Sequence, residues 1–202
     1  MFITIEGIGG SGKSTLITSL LDRLTDFSPL FTKEPTTSPI GSILRSPSMQ
    51  EDPIACACLF LADRAHHIRT EISPALQNGR MIICDRYMDS QIAYQSVMLD
   101  GVFLDPGVWI KRSHIPWVII PDLTILLDLP VEDALDRIGF RPALEVYESE
   151  THLRKIRQNY LSLYENRGAR DWLKIDARNS PDLVADLVED AIRKKCGRVT
   201  RG

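Results

Sequence analysis

The 202 residues carry a formal net charge of −3, with 44% apolar and 25% charged side chains, which is typical of a globular chain and excludes intrinsic disorder. The charge balance and the lack of any long basic block argue against duplex nucleic acid as a partner. No basic leader precedes the first apolar residues and no apolar run approaches the roughly 18 residues of a membrane span, so we expect a cytoplasmic protein with no membrane association.

The first predicted elements are a strand, a glycine-rich loop and a helix. Apolar residues at 2, 3 and 5 predict a short strand, the stretch EGIGGSGKST follows at 6–15, and apolar residues then recur with helical spacing from 16 to 24. A loop in this position points several backbone N–H groups into one concavity at a helix N-terminus. The spacing predicts a polyphosphate site in which Lys13 reaches the outer phosphates and Ser14 ligates Mg²⁺. The loop is richer in glycine than this role requires.

The rest of the chain alternates between strand and helix patterns. Further strands are predicted at 30–32, 81–84, 123–129 and 172–175, and helices at 53 to about 73, 90–98, 131–138, 150–166 and 181–195. This alternation predicts an α/β fold, a parallel sheet covered on both faces, in one domain over residues 1–202. The stretch 139–149 interrupts two helices and is interpreted as a mobile flap. The four cysteines form no C-x-x-C pair and fit no zinc pattern.

A second cluster, CDRYMDSQIAYQ at 84–95, follows a predicted buried strand. The strand delivers Asp85 and Arg86 to the edge of the sheet where ligands of open parallel sheets bind, beside the glycine-rich loop. There Asp85 could hold Mg²⁺ through water and Arg86 could grip an acceptor phosphate. Gln91, Tyr94 and Gln95 follow on one helix face.

A third cluster, LFLADRAHH at 59–67, places Phe60 and Arg64 four residues apart on a helix. A phenyl ring there could stack on a base while the guanidinium binds its edge, although packing of Phe60 in the core is the alternative. The adjacent His66 and His67 point in different directions and make a poor metal pair.

These clusters, together with TKEP at 32–35 and PDLTILLDL at 121–129, resemble the motifs of the thymidylate kinase family, in order and over nearly the whole chain. The resemblance implies a three-layer P-loop kinase fold with a five-stranded parallel sheet and a short lid at about 138–149. It implies transfer of the γ-phosphate of ATP to dTMP with Mg²⁺ as cofactor, in a homodimer. A cis peptide is expected between Glu34 and Pro35.

The resemblance also assigns residues to sites. The ATP site would comprise Gly7, Gly9, Gly10, Ser11, Gly12, Lys13, Ser14 and Thr15, and the metal site Ser14 and Asp85. The dTMP site would comprise Lys33, Pro35, Phe60, Arg64, Arg86, Ser90, Gln91 and Tyr94. In these roles Phe60 stacks on thymine, Arg64 binds its edge and Gln91 faces the base, while Tyr94 lies under the deoxyribose and Arg86 holds the phosphate.

Two positions depart from the family pattern. Gly9 stands where the family usually has Asp or Glu to reach the 3′-hydroxyl of dTMP, and Lys33 stands where arginine is common. Glu6 and Glu34 are the carboxylates that could replace the one missing at Gly9. Because the loop has no arginine of its own, the catalytic cations are predicted to be Lys13, Arg86, Arg137 and Arg141. Arg141 would act as the catalytic finger of the lid, Arg137 would contact a phosphate or the donor nucleotide, and Glu148 would anchor the closed lid.

Two alternatives remain open at this point. The chain could be another nucleotide or nucleoside kinase of the same fold, acting on dUMP, a deoxynucleoside or a different monophosphate. A nucleotide-binding switch without phosphoryl transfer is the alternative from another class. The sequence has no N-K-x-D run for guanine recognition and has a full acceptor-side cluster, which favours a kinase.

Overall fold

A computed structural model describes residues 1–115, 117–139 and 149–199. Within these residues the strands are β1 (Phe2–Glu6), β2 (Leu30–Lys33), β3 (Ile82–Asp85), β4 (Leu123–Asp128) and β5 (Trp172–Asp176). They form one sheet in the order β2-β3-β1-β4-β5, and every neighbouring pair is parallel. The predicted α/β fold with a five-stranded parallel sheet is confirmed.

Helices flank this sheet. They are α1 (Lys13–Arg23), α2 (Pro39–Leu44), α3 (Pro47–Gln50), α4 (Pro53–His67), α5 (Ser73–Gln77), α6 (Met88–Met98), α7 (Pro106–His114), α8 (Val131–Ile138), α9 (Glu150–Glu165) and α10 (Pro181–Val199). Helix α1 packs against α10, and α6 packs against both α7 and α9. None of these described helices has the length and apolar character needed to cross a bilayer.

Four of these helices, α2, α3, α5 and α7, were not predicted from the sequence. The side chain of Ser38 caps α2 by accepting from the N–H of Gly41, and Asp105 caps α7 by accepting from the N–H of Val108. In both cases a proline occupies the first turn, where its missing N–H costs nothing.

The helix predicted from 53 to about 73 is not continuous. Regular α-helix ends at His67, and residues Ile68–Ile72 form a π-helical turn before α5 begins. Pro74 has no N–H to donate to the carbonyl of Thr70, so the regular hydrogen-bond ladder cannot run through this point.

The centre of the core lies around β1, whose five residues are all buried. Two of them are polar: Thr4 donates to the hydroxyl of Thr124 across the sheet at 3.3 Å, and Glu6 ends the strand with no solvent exposure. Glu6 lies at the carboxyl end of this central strand, directly before the glycine-rich loop. Ligands of open parallel sheets bind at this end of the strands, so the site is expected there.

Candidate active site

Two adjoining cavities open at the carboxyl ends of the strands. The larger, about 590 Å³, is lined by Gly9, Gly10, Ser11, Gly12, Lys13, Ser14, Thr15, Leu16, Asp85, Arg86, Tyr94, Leu127, Arg137, Ala177, Asn179, Pro181 and Val184. The smaller, about 290 Å³, is lined by Lys33, Glu34, Pro35, Leu44, Arg45, Cys56, Phe60, Arg64, Arg86, Tyr87, Ser90, Gln91, Tyr94 and Gln95. Arg86 and Tyr94 line both cavities, so the two spaces meet at these residues.

The backbone geometry of the glycine-rich loop between β1 and α1 explains two of its glycines, Gly7 and Gly10. Gly10 has a φ of +76°, and a Cβ atom there would lie 2.9 Å from the carbonyl oxygen of Ala134 in α8. Gly7, with a φ of +148°, would place a Cβ 2.7 Å from the carbonyl oxygen of Leu127. Both glycines are therefore required by backbone conformation and by close packing against neighbouring elements.

Lys13 crosses the concavity of this loop. Its Nζ donates to the carbonyl oxygens of Gly7 at 3.0 Å and Ile8 at 2.8 Å, and to the hydroxyl of Ser11 at 3.3 Å. The ammonium is held where the backbone of the loop and the N-terminus of α1 converge, an arrangement suited to binding an anion such as a phosphate.

Asp85 ends β3 and faces the larger cavity with Ser14. Its Oδ1 is buried and has no hydrogen-bond partner among the described residues. In the same part of the chain, no three His, Cys, Asp or Glu side chains come together as a protein-only metal cage. Mg²⁺ usually takes one or two carboxylate ligands and completes its shell with water and phosphate oxygens, so Asp85 and Ser14 fit such an ion.

Arg86 follows directly after β3 and adopts a left-handed backbone conformation, with a φ of +67°. Its Nη1 donates to the carbonyl of Gly7 at 3.2 Å and to the hydroxyl of Ser90 at 3.3 Å, and its Nη2 donates to the hydroxyl of Tyr94 at 3.2 Å. These contacts fix a positive charge at the junction of the two cavities. Burial opposes that charge, but nearby Tyr94 and further polar groups still raise the pKa of Arg86.

Behind Arg86 lies the buried carboxylate of Glu6. Its Oε1 accepts from the backbone N–H of Tyr87 at 2.9 Å, and its Oε2 accepts from the hydroxyls of Ser90 at 2.5 Å and Tyr160 at 3.1 Å. Burial, reinforced by the nearby carboxylate of Asp89, raises the pKa of Glu6 to about 7. Protein groups therefore occupy both oxygens of Glu6.

In the smaller cavity, α4 presents Phe60 and Arg64 on one face, as the sequence predicts. Arg64 is only 1% exposed, and its Nε donates to Oε2 of Glu34 at 2.9 Å. Its Nη1 donates to Oε1 of Gln91 at 2.5 Å, while Nε2 of Gln91 donates to the carbonyl of Ala57 at 2.9 Å. Both ends of the Gln91 amide are therefore bound by protein groups, and Gln91 holds Arg64 as well as lining the cavity.

Glu34 and Pro35 line this cavity and begin a segment that runs to Ser38. The peptide between Glu34 and Pro35 is cis, as the family resemblance implies. The other oxygen of Glu34, Oε1, lies 3.0 Å from Nδ1 of His67, so protein partners occupy this carboxylate too. Asp63 accepts from the N–H of Thr36 at 2.7 Å and from its hydroxyl at 2.6 Å, which anchors the segment to α4.

Arg45, after α2, is a cavity residue that the sequence reading missed. Its Nη1 donates to the carbonyl of Pro35 at 3.0 Å and its Nη2 to the carbonyl of Thr36 at 2.7 Å. It lines the smaller cavity and adds a positive charge to those of Lys33, Arg64 and Arg86. No motif or spacing around residue 45 distinguishes it from a surface arginine.

Arg137 ends α8 beside the larger cavity. Its Nη1 donates to the carbonyl of Gly10 at 3.3 Å and its Nη2 to the carbonyl of Ala177 at 3.0 Å, so it links the glycine-rich loop to the β5–α10 turn. That turn contributes Ala177, Asn179 and Pro181 to the cavity, and none of them was predicted. Arg141, Glu148 and nearly all of the predicted lid lie outside the described residues.

A comparison with models of protein families matches the model for thymidylate kinase to residues 5–188. The chain belongs to the thymidylate kinase family. It is 47% identical over 194 residues to a probable thymidylate kinase of Methanoculleus marisnigri, an alignment covering 96% of this chain and 94% of that protein. It is 44% identical over 202 residues to one of Methanospirillum hungatei, covering 100% and 98% respectively, and 42% identical over 194 residues to one of Methanocorpusculum labreanum, covering 96% and 98%.

Membership in the thymidylate kinase family confirms the resemblance drawn from the motifs and makes the chain an enzyme, a nucleotide-binding transferase. ATP is the phosphate donor of such a kinase. Neither the family match nor the named relatives favour a different kinase of this fold or a non-catalytic switch.

Proposed function

We propose that the chain transfers the γ-phosphoryl group of ATP to dTMP, with ATP in the larger cavity and dTMP in the smaller. The observation that carries this proposal is the position of Arg86, which lines both cavities and holds its guanidinium where they meet. A donor phosphate and an acceptor phosphate approach each other at such a junction. A fixed cation there stabilises the charge that spreads over the transferring group.

On the donor side, the proposed ATP site consists of Gly7, Gly9, Gly10, Ser11, Gly12, Lys13, Ser14 and Thr15. Residues 9–15 all line the larger cavity, while Gly7 shapes the loop from behind. Lys13 would exchange its contacts with loop carbonyls for the outer phosphates. Asp85 and Ser14 would hold Mg²⁺, whose charge neutralises the β- and γ-phosphates when it is bound.

On the acceptor side, every residue assigned to dTMP from the family resemblance lines the smaller cavity: Lys33, Pro35, Phe60, Arg64, Arg86, Ser90, Gln91 and Tyr94. In the proposed complex Phe60 stacks on the base, Arg64 donates to its edge and Tyr94 lies under the sugar, where a ring leaves little room for a 2′-hydroxyl. Arg86, held by Ser90 and Tyr94, binds the phosphate.

Closure over ATP is proposed to depend on the lid at about 138–149. Arg141 would supply the catalytic cation of the lid and Arg137 a second cation, because the glycine-rich loop contributes only Lys13. The contacts of Arg137 with Gly10 and Ala177 place a guanidinium at the rim of the larger cavity, directly before the predicted lid.

We further propose that the enzyme is a homodimer and acts in the cytoplasm. One face of α4 leaves Ile54, Cys58, Ala62 and Ala65 exposed, and an apolar stripe of this kind is suited to pairing with a second copy. Light scattering of the purified protein tests the dimer, and Ala62→Glu should shift it toward the monomer. The four cysteines are free, which is usual in a reducing compartment.

The function is tested by measuring ADP release with ATP–Mg²⁺ and a panel of acceptors: dTMP, dUMP, dCMP, UMP and thymidine. We expect the highest kcat/KM with dTMP. Slow ATP hydrolysis unaffected by any acceptor would indicate a switch, and a higher kcat/KM with UMP or dCMP would contradict the assignment. Arg64→Ala should impair dTMP use far more than ATP use, whereas Arg69→Ala, an exposed arginine near the end of the same helical segment, should change neither.

A further inference from the structure

The guanidinium of Arg64 is held by three separate segments of the chain. Glu34, after β2, accepts from both Nε and Nη2, and Gln91 of α6 accepts from Nη1. The third partner is His114, the last residue of α7, whose Nε2 lies 2.5 Å from the same Nη1. His114 is 1% exposed and does not line the cavity, so this partner of Arg64 is buried outside the cavity wall.

The chemistry of this contact determines the protonation of His114. A guanidinium has five N–H donors and no acceptor, so Nε2 of His114 must be unprotonated and must accept the hydrogen bond. Burial and the adjacent charge of Arg64 lower the pKa of His114 to about 3. The imidazole therefore stays neutral, and remains an acceptor, throughout the range in which the enzyme would work.

Counting the five N–H donors of Arg64 shows how many remain for a ligand. Nε uses its one N–H on Glu34, and Nη1 uses its two on Gln91 and His114. Nη2 uses one of its two on Glu34. Among the partners that the described residues provide, one N–H of Nη2 is left over, on a side chain that borders the smaller cavity. The protein contacts thereby fix the direction in which this last donor points.

Building on the function proposed above, we propose that His114 is a specificity-determining positioning residue for Arg64. By binding Nη1, it prevents the guanidinium from tilting and presents a single donor to the edge of the base. A 4-keto oxygen, as in thymine, accepts this hydrogen bond. A 4-amino group, as in cytosine, meets it with another donor and leaves both unpaired.

The test compares dTMP with dCMP in the intact enzyme for wild type, His114→Leu, His114→Met and His114→Gln. Leucine and methionine offer no comparable acceptor, so Nη1 loses a partner and Arg64 can reorient. We expect kcat/KM for dTMP to fall about 10- to 100-fold. The preference for dTMP over dCMP should narrow by about tenfold, with KM for ATP unchanged. Glutamine carries an acceptor oxygen on a flexible side chain and should restore most of the preference.

His66→Leu is the matched control, because this histidine lies on α4 away from the cavity and should leave both activities unchanged. Thermal unfolding of each variant shows whether it folds, and two non-acceptor replacements guard against one failing to do so. An unchanged dTMP to dCMP ratio in folded His114→Leu or His114→Met overturns the inference. The inference is also overturned if His114→Gln shows the same dTMP to dCMP ratio as His114→Leu. If wild type itself does not prefer dTMP, the proposed function fails and the role of His114 fails with it.

Discussion

The carboxylate of Glu6 accepts a hydrogen bond from the backbone N–H of Tyr87 at 2.9 Å. Because Tyr87 directly follows Arg86, this bond stabilises the left-handed backbone conformation of Arg86. This conformation costs roughly 1–2 kcal/mol in a residue with a Cβ atom. The second oxygen of Glu6 accepts from Ser90, whose hydroxyl in turn accepts from Arg86. One buried carboxylate therefore orients both the backbone and the guanidinium of the residue at the junction of the cavities.

This carboxylate should make stability depend on pH. The pKa of Glu6 is raised from 4.5 to about 7 by burial, so the folded state keeps a proton that the unfolded state releases between these values. The stabilisation is complete below pH 4.5 and is lost as the pH rises through about 7, a difference of up to about 3 kcal/mol. In Glu6→Gln this part of the pH dependence should disappear. Urea unfolding at pH 5, 6, 7 and 8 measures the free energy of unfolding of both proteins. If that free energy changes equally with pH in wild type and Glu6→Gln, Glu6 does not titrate in this range.

A second prediction concerns the buried ion pair beneath the site. Arg170 donates to both oxygens of Asp89, at 2.8 and 2.6 Å, and the carboxylate of Asp89 has no solvent exposure. Arg170→Met leaves that charge without its partner and should cost about 3–5 kcal/mol. The exposed pair of Arg178 with Asp176 supplies the control, since water solvates both of its charges and Arg178→Met should cost far less stability. Chemical denaturation compares the free energies of unfolding of the two variants. A similar decrease in both would contradict this account of Asp89.

The two arginines near the lid should affect catalysis differently. Arg137 connects the carbonyls of Gly10 and Ala177 at the larger cavity, so Arg137→Ala should weaken ATP binding and raise KM for ATP. Arg141→Ala should instead lower the turnover number by about 10³ to 10⁵, with little change in ATP affinity. Steady-state kinetics and ATP binding separate these effects, with exposed Arg154→Ala as the control. If both variants keep most of the wild-type turnover, the proposed lid mechanism is wrong.

The absence of a side chain at Gly9 should be visible in the choice of acceptor. Glu6 and Glu34, the carboxylates considered as replacements, are both occupied by protein partners. We therefore expect dTMP to be preferred over its 3′-deoxy analogue by less than the roughly 1.5–3 kcal/mol that a hydrogen bond to a charged group contributes. The ratio of kcat/KM for the two acceptors measures this. A strong preference for the 3′-hydroxyl would show that another residue makes the contact.

Local patterns in the sequence predict a large part of this molecule. The strand, glycine-rich loop and helix at the N-terminus are present, Asp85 and Arg86 stand at the end of β3, and Phe60 shares a face with Arg64. Helix α7 was missed although Asp105-Pro106 carries the same N-terminal signal as Asp52-Pro53. The Asp-Pro pair would therefore have predicted the start of α7.

Other features have no local signal. The pairing of Arg64 with His114 joins residues 50 positions apart, and the contact of Glu6 with Tyr160 joins residues 154 apart. Such contacts depend on how helices pack across the sheet, which a residue's own neighbours in the sequence do not determine. Arg45 lines the smaller cavity for a related reason, because its position depends on hydrogen bonds to the carbonyls of Pro35 and Thr36 on the other side of α2.

The distribution of the partners of Arg64 also limits how base preference could be redesigned. Replacing only the other residues that line the smaller cavity would leave the guanidinium of Arg64 bound to His114, still presenting the same donor. A library that keeps Arg64 and is aimed at cytidine substrates would therefore have to vary α7 together with α4 and α6, even though α7 contributes no residue to the cavity wall. Changes that are neutral or harmful one at a time would become useful only in combination, so a search by single substitutions would miss them.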